Sequence, residues 1–162
     1  ISGQKKYTAL AVKAILSWKS QMAWIRVDDG PGRKVDLTGL FAMMQCETFG
    51  GGYRVAPGMH PFGENSRIVL GFGLSKAQML LVMGPLKKGN HVGKWGKITM
   101  EPCRSFEIRA LDENGNPTLE QGHNPPLYIS LDGEISVTTP VRFDFHSDVL
   151  NVRGGENPPN TE

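Results

Sequence analysis

The stretch RIVLGFGLSKAQMLLVMGPLKKGNHV, residues 67–92, contains the two clearest secondary-structure signals of the chain. Residues 67–73 form an apolar run that ends at glycines, which predicts a buried strand. Ser75 follows directly and is a favoured helix N-cap residue. The pattern therefore predicts a strand that leads into a helix.

The helix is expected to begin near Ser75 and to end before Pro85, because proline lacks the backbone N–H that an interior helical position donates. Ala77, Leu80 and Leu81 supply its apolar positions. We expect Leu80 and Leu81 to pack inward, so that Leu80→Asp would cost several kcal/mol.

Outward from this stretch, the sequence indicates mostly short strands separated by Gly-, Pro- and Asn-rich turns. Residues 11–18 are the exception, because their apolar residues fall at helical spacing. Strands are predicted over residues 22–27, 36–45, 94–102, 105–111, 126–134, 135–139 and 141–146.

Many short strands with one or two helices predict a mainly β fold, either an antiparallel sandwich or a flattened barrel. The chain has 162 residues and is 39% hydrophobic, which is enough for one compact core. We expect a single β domain over residues 1–153 and a polar, Pro- and Gly-rich tail over residues 154–162.

A second stretch, LYISLDGEISV at residues 127–137, places an acidic-glycine-acidic triplet at the end of a strand-like run. Asp132, Gly133 and Glu134 are candidates for chemistry, because a carboxylate there can face a reacting group. A plain hairpin turn is the alternative, since Asp-Gly is the strongest short hairpin signal.

Charge and composition exclude several functions. The net charge is +2 and the basic residues are scattered without interleaved aromatics, so nucleic-acid binding is not expected. No apolar run approaches the ~18 residues of a transmembrane helix. Cys46 and Cys103 are far apart, which predicts a reducing intracellular compartment, cytoplasmic or mitochondrial, and no disulfide framework. The four histidines, at positions 60, 91, 123 and 146, lack metal-site spacing, so no metal site is predicted.

The order of four landmarks resembles the C-terminal domain of the diacylglycerol kinase and sphingosine kinase family of lipid kinases. These landmarks are TFGGGYRVAPG at residues 48–58, the stretch at residues 67–92 with its Lys-Gly-X-His turn, the alternating FEIRAL at residues 106–111, and the Asp-Gly-Glu triplet. The resemblance extends from about Tyr7 to Val152.

This resemblance implies that Glu134 is the catalytic acidic residue and that Asp132, Gly133 and Glu134 line the nucleotide side. It also implies ATP and magnesium as cofactors of an intact kinase, with none expected for this chain alone. In the family, the nucleotide loop is a Gly-Gly-Asp-Gly-Thr segment of another lobe, and the 162 residues contain no such segment.

Two further segments are open to a functional interpretation. Gly50, Gly51 and Gly52 could cradle phosphate, but the extended residues that follow favour a tight turn or bulge. Bacterial members of the family carry an Asp-Gly pair near residues 61–67 that helps to hold a structural magnesium, whereas this chain has Glu64 and Asn65. A metal is therefore not expected there.

Two functions remain. The first is a non-catalytic structural or interaction subunit, which binds other protein subunits, or a lipid, within a larger assembly. The alternative is the catalytic half of an ATP-dependent lipid kinase, acting on diacylglycerol or a sphingoid base, whose nucleotide lobe lies on a missing segment or another chain. The missing phosphate loop favours the first, and enzyme activity is not expected of this chain alone.

Overall fold

The computed structural model describes residues 3–120, 127–132, 134–147 and 149. These residues form two α-helices, one 3-10 turn and eight strands. The helices are α1 (Gly3–Ser17) and α2 (Lys76–Lys88), and the 3-10 turn is Lys94–Gly96. The strands are β1 (Gln21–Val27), β2 (Arg33–Met44), β3 (Ser66–Phe72), β4 (Ile98–Cys103), β5 (Ser105–Ala110), β6 (Tyr128–Leu131), β7 (Glu134–Thr138) and β8 (Val141–Asp144).

All paired strands are antiparallel, so the prediction of a mainly β fold with one or two helices is confirmed. Six strands form one sheet in the order β4-β3-β2-β1-β5-β8, and β6 pairs with β7 in a separate two-stranded sheet. Residues 94–96, expected to begin a strand, instead form a turn in which Gly93 and Gly96 have positive φ. That backbone cannot continue a pleated strand, so β4 begins at Ile98.

Two apolar cores lie on opposite faces of β3, because side chains alternate along a strand. Ile68 and Leu70 join the first core together with residues of β1 and β5, among them Ile25. Val69 joins the second core, which α2 and the loop after β2 cover. The continuous apolar run at residues 67–72 is therefore explained by burial on both faces.

Helix α2 begins as predicted and ends later than predicted. The Ser75 hydroxyl accepts a hydrogen bond from the backbone N–H of Gln78, and the Gln78 side chain accepts one from the N–H of Ser75, which forms a capping box. The helix then passes through Pro85 and ends at Lys88. Pro85 is tolerated because the carbonyl that it leaves unpaired belongs to Leu81, on the exposed side of the helix.

The predicted inward face of α2 was wrong, and Ala77, one of its three predicted apolar positions, is exposed. Met79 and Val82 are the buried positions of the helix, whereas Leu80 is half-buried and Leu81 is 68% exposed. Residues 79–82 are all apolar, so spacing alone did not fix which of them faces the core. Packing in the second core, which holds Val69 of β3, decides which of these residues are buried.

Helix α1 confirms the helical interpretation of residues 11–17. Ile15 packs against the second core, and the Lys76 ammonium donates to the carbonyl of Leu16 at 2.6 Å, which ties α1 to the start of α2. Trp18 lies beyond the helix end, and its indole Nε1–H donates to the carbonyl of Leu37 at 3.1 Å.

His91 connects the end of α2 to the loop after β2. The residue is fully buried, and its Nε2–H donates to the carbonyl of Val55 at 3.0 Å. Its Nδ1 has no hydrogen-bond partner among the residues that the structure describes. Burial lowers the pKa of the imidazole, and the hydrogen bond to Val55 only partly opposes this effect.

We expect Val82→Asp to lower the free energy of unfolding by about 3 kcal/mol or more, because it places a charge in the second core. The neighbouring Leu81→Asp should change it by only about 0.5 kcal/mol, because Leu81 is exposed. Urea unfolding of both variants measures the difference. Equal losses would contradict the observed helix phase.

We expect His91 to make stability depend on pH. Because the folded pKa lies below the unfolded value of about 6.5, the unfolded chain takes up the proton first as the pH falls. The contribution is complete above about pH 6.5 and is lost as the pH falls from there through the lowered folded pKa.

Urea unfolding at about pH 7.5 and pH 5 measures this contribution. His91→Gln keeps an N–H donor for Val55 but cannot titrate, so it should reduce the pH dependence. His60→Gln, at an exposed histidine, is the matched control substitution. An identical pH profile for His91→Gln and the original chain would rule out this role.

Candidate functional site

The Asp-Gly-Glu triplet lies at the tip of the β6–β7 hairpin. Leu131 pairs with Glu134, so the connection has two residues, and Asp132 has a left-handed φ of 49°. The hairpin alternative inferred from the sequence therefore describes the backbone correctly. Gly133 lies outside the described residues. The side chains of Asp132 and Glu134 are both exposed beside the turn.

The base of this hairpin is fixed to the first core. Leu127 is 6% exposed and packs in the core, and Ile129 packs against it. The N–H of Thr139 donates to the carbonyl of Leu127 at 3.1 Å, which closes the hairpin at its base. An anchored base with two carboxylates at the tip can present acceptor groups to a bound cation, hydroxyl or partner surface.

The outer face of the same hairpin exposes two large apolar side chains next to Ser130. Tyr128 is 65% exposed and Ile135 is 72% exposed, and Leu131 is 40% exposed next to the turn. Ile135 pairs with Ser130, which shares a strand face with Tyr128, so Tyr128 and Ile135 lie on one side. The Asp-Gly-Glu motif indicated the carboxylates, whereas no motif indicated this patch, which depends on the hairpin face that packs against the first core.

The glycine run forms a tight turn, as the sequence favoured. Phe49 and Tyr53 exchange backbone hydrogen bonds of 2.9 and 3.1 Å, and Gly50, Gly51 and Gly52 between them have φ values of 50°, 80° and 88°. These left-handed values favour glycine at each position. Residues 54–65, which directly follow, form turns and irregular structure, so no helix begins there.

The loop around this turn is braced by Glu47. One of its carboxylate oxygens accepts hydrogen bonds from the Arg54 guanidinium at 2.6 Å and from the N–H of Gly58 at 2.9 Å. Both hydrogen bonds lower the pKa of the Glu47 carboxyl, and the one from Arg54 has the larger effect. The charged side chains of Glu47 and Arg54 therefore form hydrogen bonds within this loop.

Glu64 and Asn65 lie beside an open cleft. Asn65 accepts a hydrogen bond from the Arg104 guanidinium at 2.9 Å, and Glu64 lines the cleft with Arg104 and His146. The His60 and Phe62 rings lie next to each other in a tilted arrangement, and His123 lies outside the described residues. Within the described ranges, no three His, Cys, Asp or Glu side chains are grouped to hold a metal ion.

The cleft continues along the start of β5 and the end of β8, and no sequence motif indicated it. Asp28 accepts hydrogen bonds from the N–H groups of Arg104 and Ser105, both at 2.7 Å, and Arg142 pairs with Asp144 at 2.9 Å. Backbone amides therefore bind Asp28, and Arg142 and Asp144 form an ion pair within the cleft. Residues more than 100 positions apart form it, so only the strand order could have indicated it.

Neither cysteine belongs to this cleft or to the hairpin tip. Cys46 is exposed, whereas Cys103 is buried with its Sγ 3.4 Å from the Ser66 hydroxyl. Burial raises the pKa of the Cys103 thiol. Over the described part of the chain, no helix is long and apolar enough to cross a membrane.

Three solved chains from Bacillus anthracis strain Sterne, one described as a diacylglycerol kinase and two as candidate diacylglycerol kinases, have a similar fold. One superposes with a TM-score of 0.60 at 16% identity, covering 84% of this chain and 42% of that chain. Two others give TM-scores of 0.51 and 0.52 at 13% and 16% identity, covering 82% and 84% of this chain and 42% and 41% of theirs. This chain thus spans less than half the length of the structures that it matches.

No curated protein matches the sequence. The family described as the YegS C-terminal NAD kinase beta sandwich-like domain matches residues 1–154, which is nearly the whole chain. The match agrees with the antiparallel fold and with the resemblance inferred from the four landmarks. The chain therefore belongs to the family of the YegS C-terminal NAD kinase beta sandwich-like domain.

Proposed function

We propose that this domain is a non-catalytic interaction subunit of a lipid-kinase-like assembly and that the β6–β7 hairpin is its docking element. The observation that carries the proposal is the exposed apolar face of Tyr128 and Ile135 on a hairpin with an anchored base. Exposed apolar side chains grouped on one element mark interaction surfaces. The partner is another protein subunit that covers this face.

The hairpin is suited to docking because its base is held while its outer face is open. The hydrogen bond between Thr139 and Leu127, together with the packing of Ile129, keeps the element in place before a partner arrives. Preorganised elements lose little conformational entropy on binding. Asp132 and Glu134 at the tip then add polar groups to the rim of the contact.

A second candidate function uses the same tip. By resemblance to lipid kinases, Glu134 would be the catalytic carboxylate, with Asp132 and Gly133 on the nucleotide side, and ATP, magnesium and a diacylglycerol or sphingoid-base substrate would be held with a nucleotide lobe. The exposure of Asp132 and Glu134 supports this candidate, because a carboxylate that acts on a bound hydroxyl must be accessible. We further propose a reducing intracellular compartment, in keeping with the free thiols of Cys46 and Cys103.

We expect the pure 162-residue chain not to phosphorylate diacylglycerol or sphingosine with ATP and magnesium. Phosphoryl transfer requires amide groups that cradle the triphosphate, and the sequence contains no Gly-Gly-Asp-Gly-Thr loop to supply them. A radiolabelled lipid-phosphorylation assay, with an intact diacylglycerol kinase as positive control, measures this. Steady turnover by the pure chain would exclude the non-catalytic proposal.

We expect Ile135→Asp to abolish binding of the protein partner, because it places a charge at the centre of the apolar face. Glu134→Gln should leave partner binding and stability nearly unchanged, because it keeps the side-chain shape. Affinity capture from the native source with each variant as bait, followed by mass spectrometry, identifies proteins that depend on Ile135.

The two candidates predict different results for the reconstituted pair. If Glu134→Gln abolishes lipid phosphorylation by a captured pair while partner binding persists, the hairpin supplies the catalytic carboxylate and the second candidate is correct. If partner binding survives Ile135→Asp, the hairpin is not the docking element. Leu119→Asp, at another exposed apolar position, controls for a general loss of hydrophobic surface.

A further inference from the structure

One segment of the sequence is rich in positive charge. The sequence contains no acidic residue between Glu64 and Glu101, and residues 65–100 carry six basic side chains. The whole chain has a net charge of only +2, so the remaining residues are net acidic. The six basic residues are Arg67, Lys76, Lys87, Lys88, Lys94 and Lys97.

The turn after α2 exposes apolar side chains within this basic region. Residues 92–96 are all exposed, and among them Val92 is 38% and Trp95 is 45% exposed. Trp95 has a left-handed φ of 52°, between Gly93 at 79° and Gly96 at 64°. A bulky residue rarely adopts this conformation, and no burial of the indole compensates for it.

Three lysines lie close along the chain to this tryptophan. Lys87 and Lys88 form the last turn of α2, and Lys94 precedes Trp95. All three are exposed, and their ammonium groups have no hydrogen-bond or ion-pair partner among the described residues. Lys76 and Lys97, by contrast, donate to the carbonyls of Leu16 at 2.6 Å and Gly73 at 2.7 Å.

The local backbone keeps the helix end and the turn adjacent. The N–H of Asn90 donates to the carbonyl of Pro85 at 2.9 Å, and the N–H of Lys94 donates to the carbonyl of His91 at 3.1 Å. The N–H of Gly93 donates to the carbonyl of Ile98 at 2.8 Å. His91 between the two lysine groups is fully buried, so this connection is fixed.

We propose that this basic-aromatic edge, defined as Lys87, Lys88, Val92, Lys94 and Trp95, binds the surface of a bilayer that contains anionic lipids. Lysines near such a surface are attracted by its negative potential, and tryptophan favours the headgroup region because its ring is apolar and its N–H is polar. An exposed turn can bind a bilayer surface that has no complementary pocket, whereas a protein partner would have to provide such a pocket.

Vesicle flotation with the full 162-residue chain tests the proposal. We expect binding to phosphatidylcholine vesicles that contain phosphatidylglycerol, weakened by salt, and none to phosphatidylcholine alone. Replacing all three lysines of the edge by glutamate should weaken binding about 100-fold or more. Trp95→Ala should weaken it several-fold, and circular dichroism verifies that each variant is folded.

Matched variants control for charge and for exposed aromatic surface. Glutamate at three exposed lysines outside the edge produces the same change in net charge, and Phe62→Ala removes another exposed aromatic ring. Both should bind vesicles within about twofold of the original chain. The three control lysines are Lys13, Lys19 and Lys34.

Four results would overturn the proposal: no vesicle binding, equal binding to phosphatidylcholine alone, equal losses in the control variants, or tighter binding to a DNA duplex than to the anionic vesicles. The last result would indicate a general polyanion surface. Vesicle binding requires no turnover and no protein partner, so this test is independent of the hairpin and of Glu134.

Discussion

Burial of β3 on both of its faces is the constraint on which the rest of the structure depends. Ile68 and Leu70 belong to one core, and Val69 between them belongs to the other. A strand with two apolar faces must be covered on both sides of the sheet. Without a helix on the side of Val69, that face would be exposed to water. The second core thus requires α2, and the first requires the residues at the base of the β6–β7 hairpin.

The sequence predicts the parts of this arrangement that local patterns determine. The strand at residues 67–73, the cap at Ser75 and the Asp-Gly hairpin each follow from residue types within a few positions, and the structure has all three. The phase of α2 was not predictable in this way, because residues 79–82 are all apolar and only the packing on β3 distinguishes Val82 from Leu81. The end of the helix was also missed, because the cost of Pro85 depends on whether the carbonyl of Leu81 faces water.

The candidate site likewise has parts that local sequence patterns predict and parts that they do not. Asp132 and Glu134 were identified from a motif, which reports residue type at fixed spacing. The exposed side chains of Tyr128 and Ile135 depend on which face of the hairpin packs against Leu127, and that is a property of the tertiary structure. The cleft around Asp28 and Arg104 depends on strand order and had no local signal. Motifs therefore predicted chemical groups, and the fold was needed to find surfaces.

Gly89 ends α2 with a φ of 77°, and a Cβ atom there would lie 3.1 Å from the Cβ of Pro57 and 3.5 Å from that of Arg54. The glycine is thus needed both for its backbone conformation and for the close approach of the loop that carries Gly50–Gly52. This requirement is the same whether or not a protein with this fold transfers phosphate. The architecture alone therefore accounts for the glycine of the Lys-Gly-X-His turn, without any role for it in phosphoryl transfer.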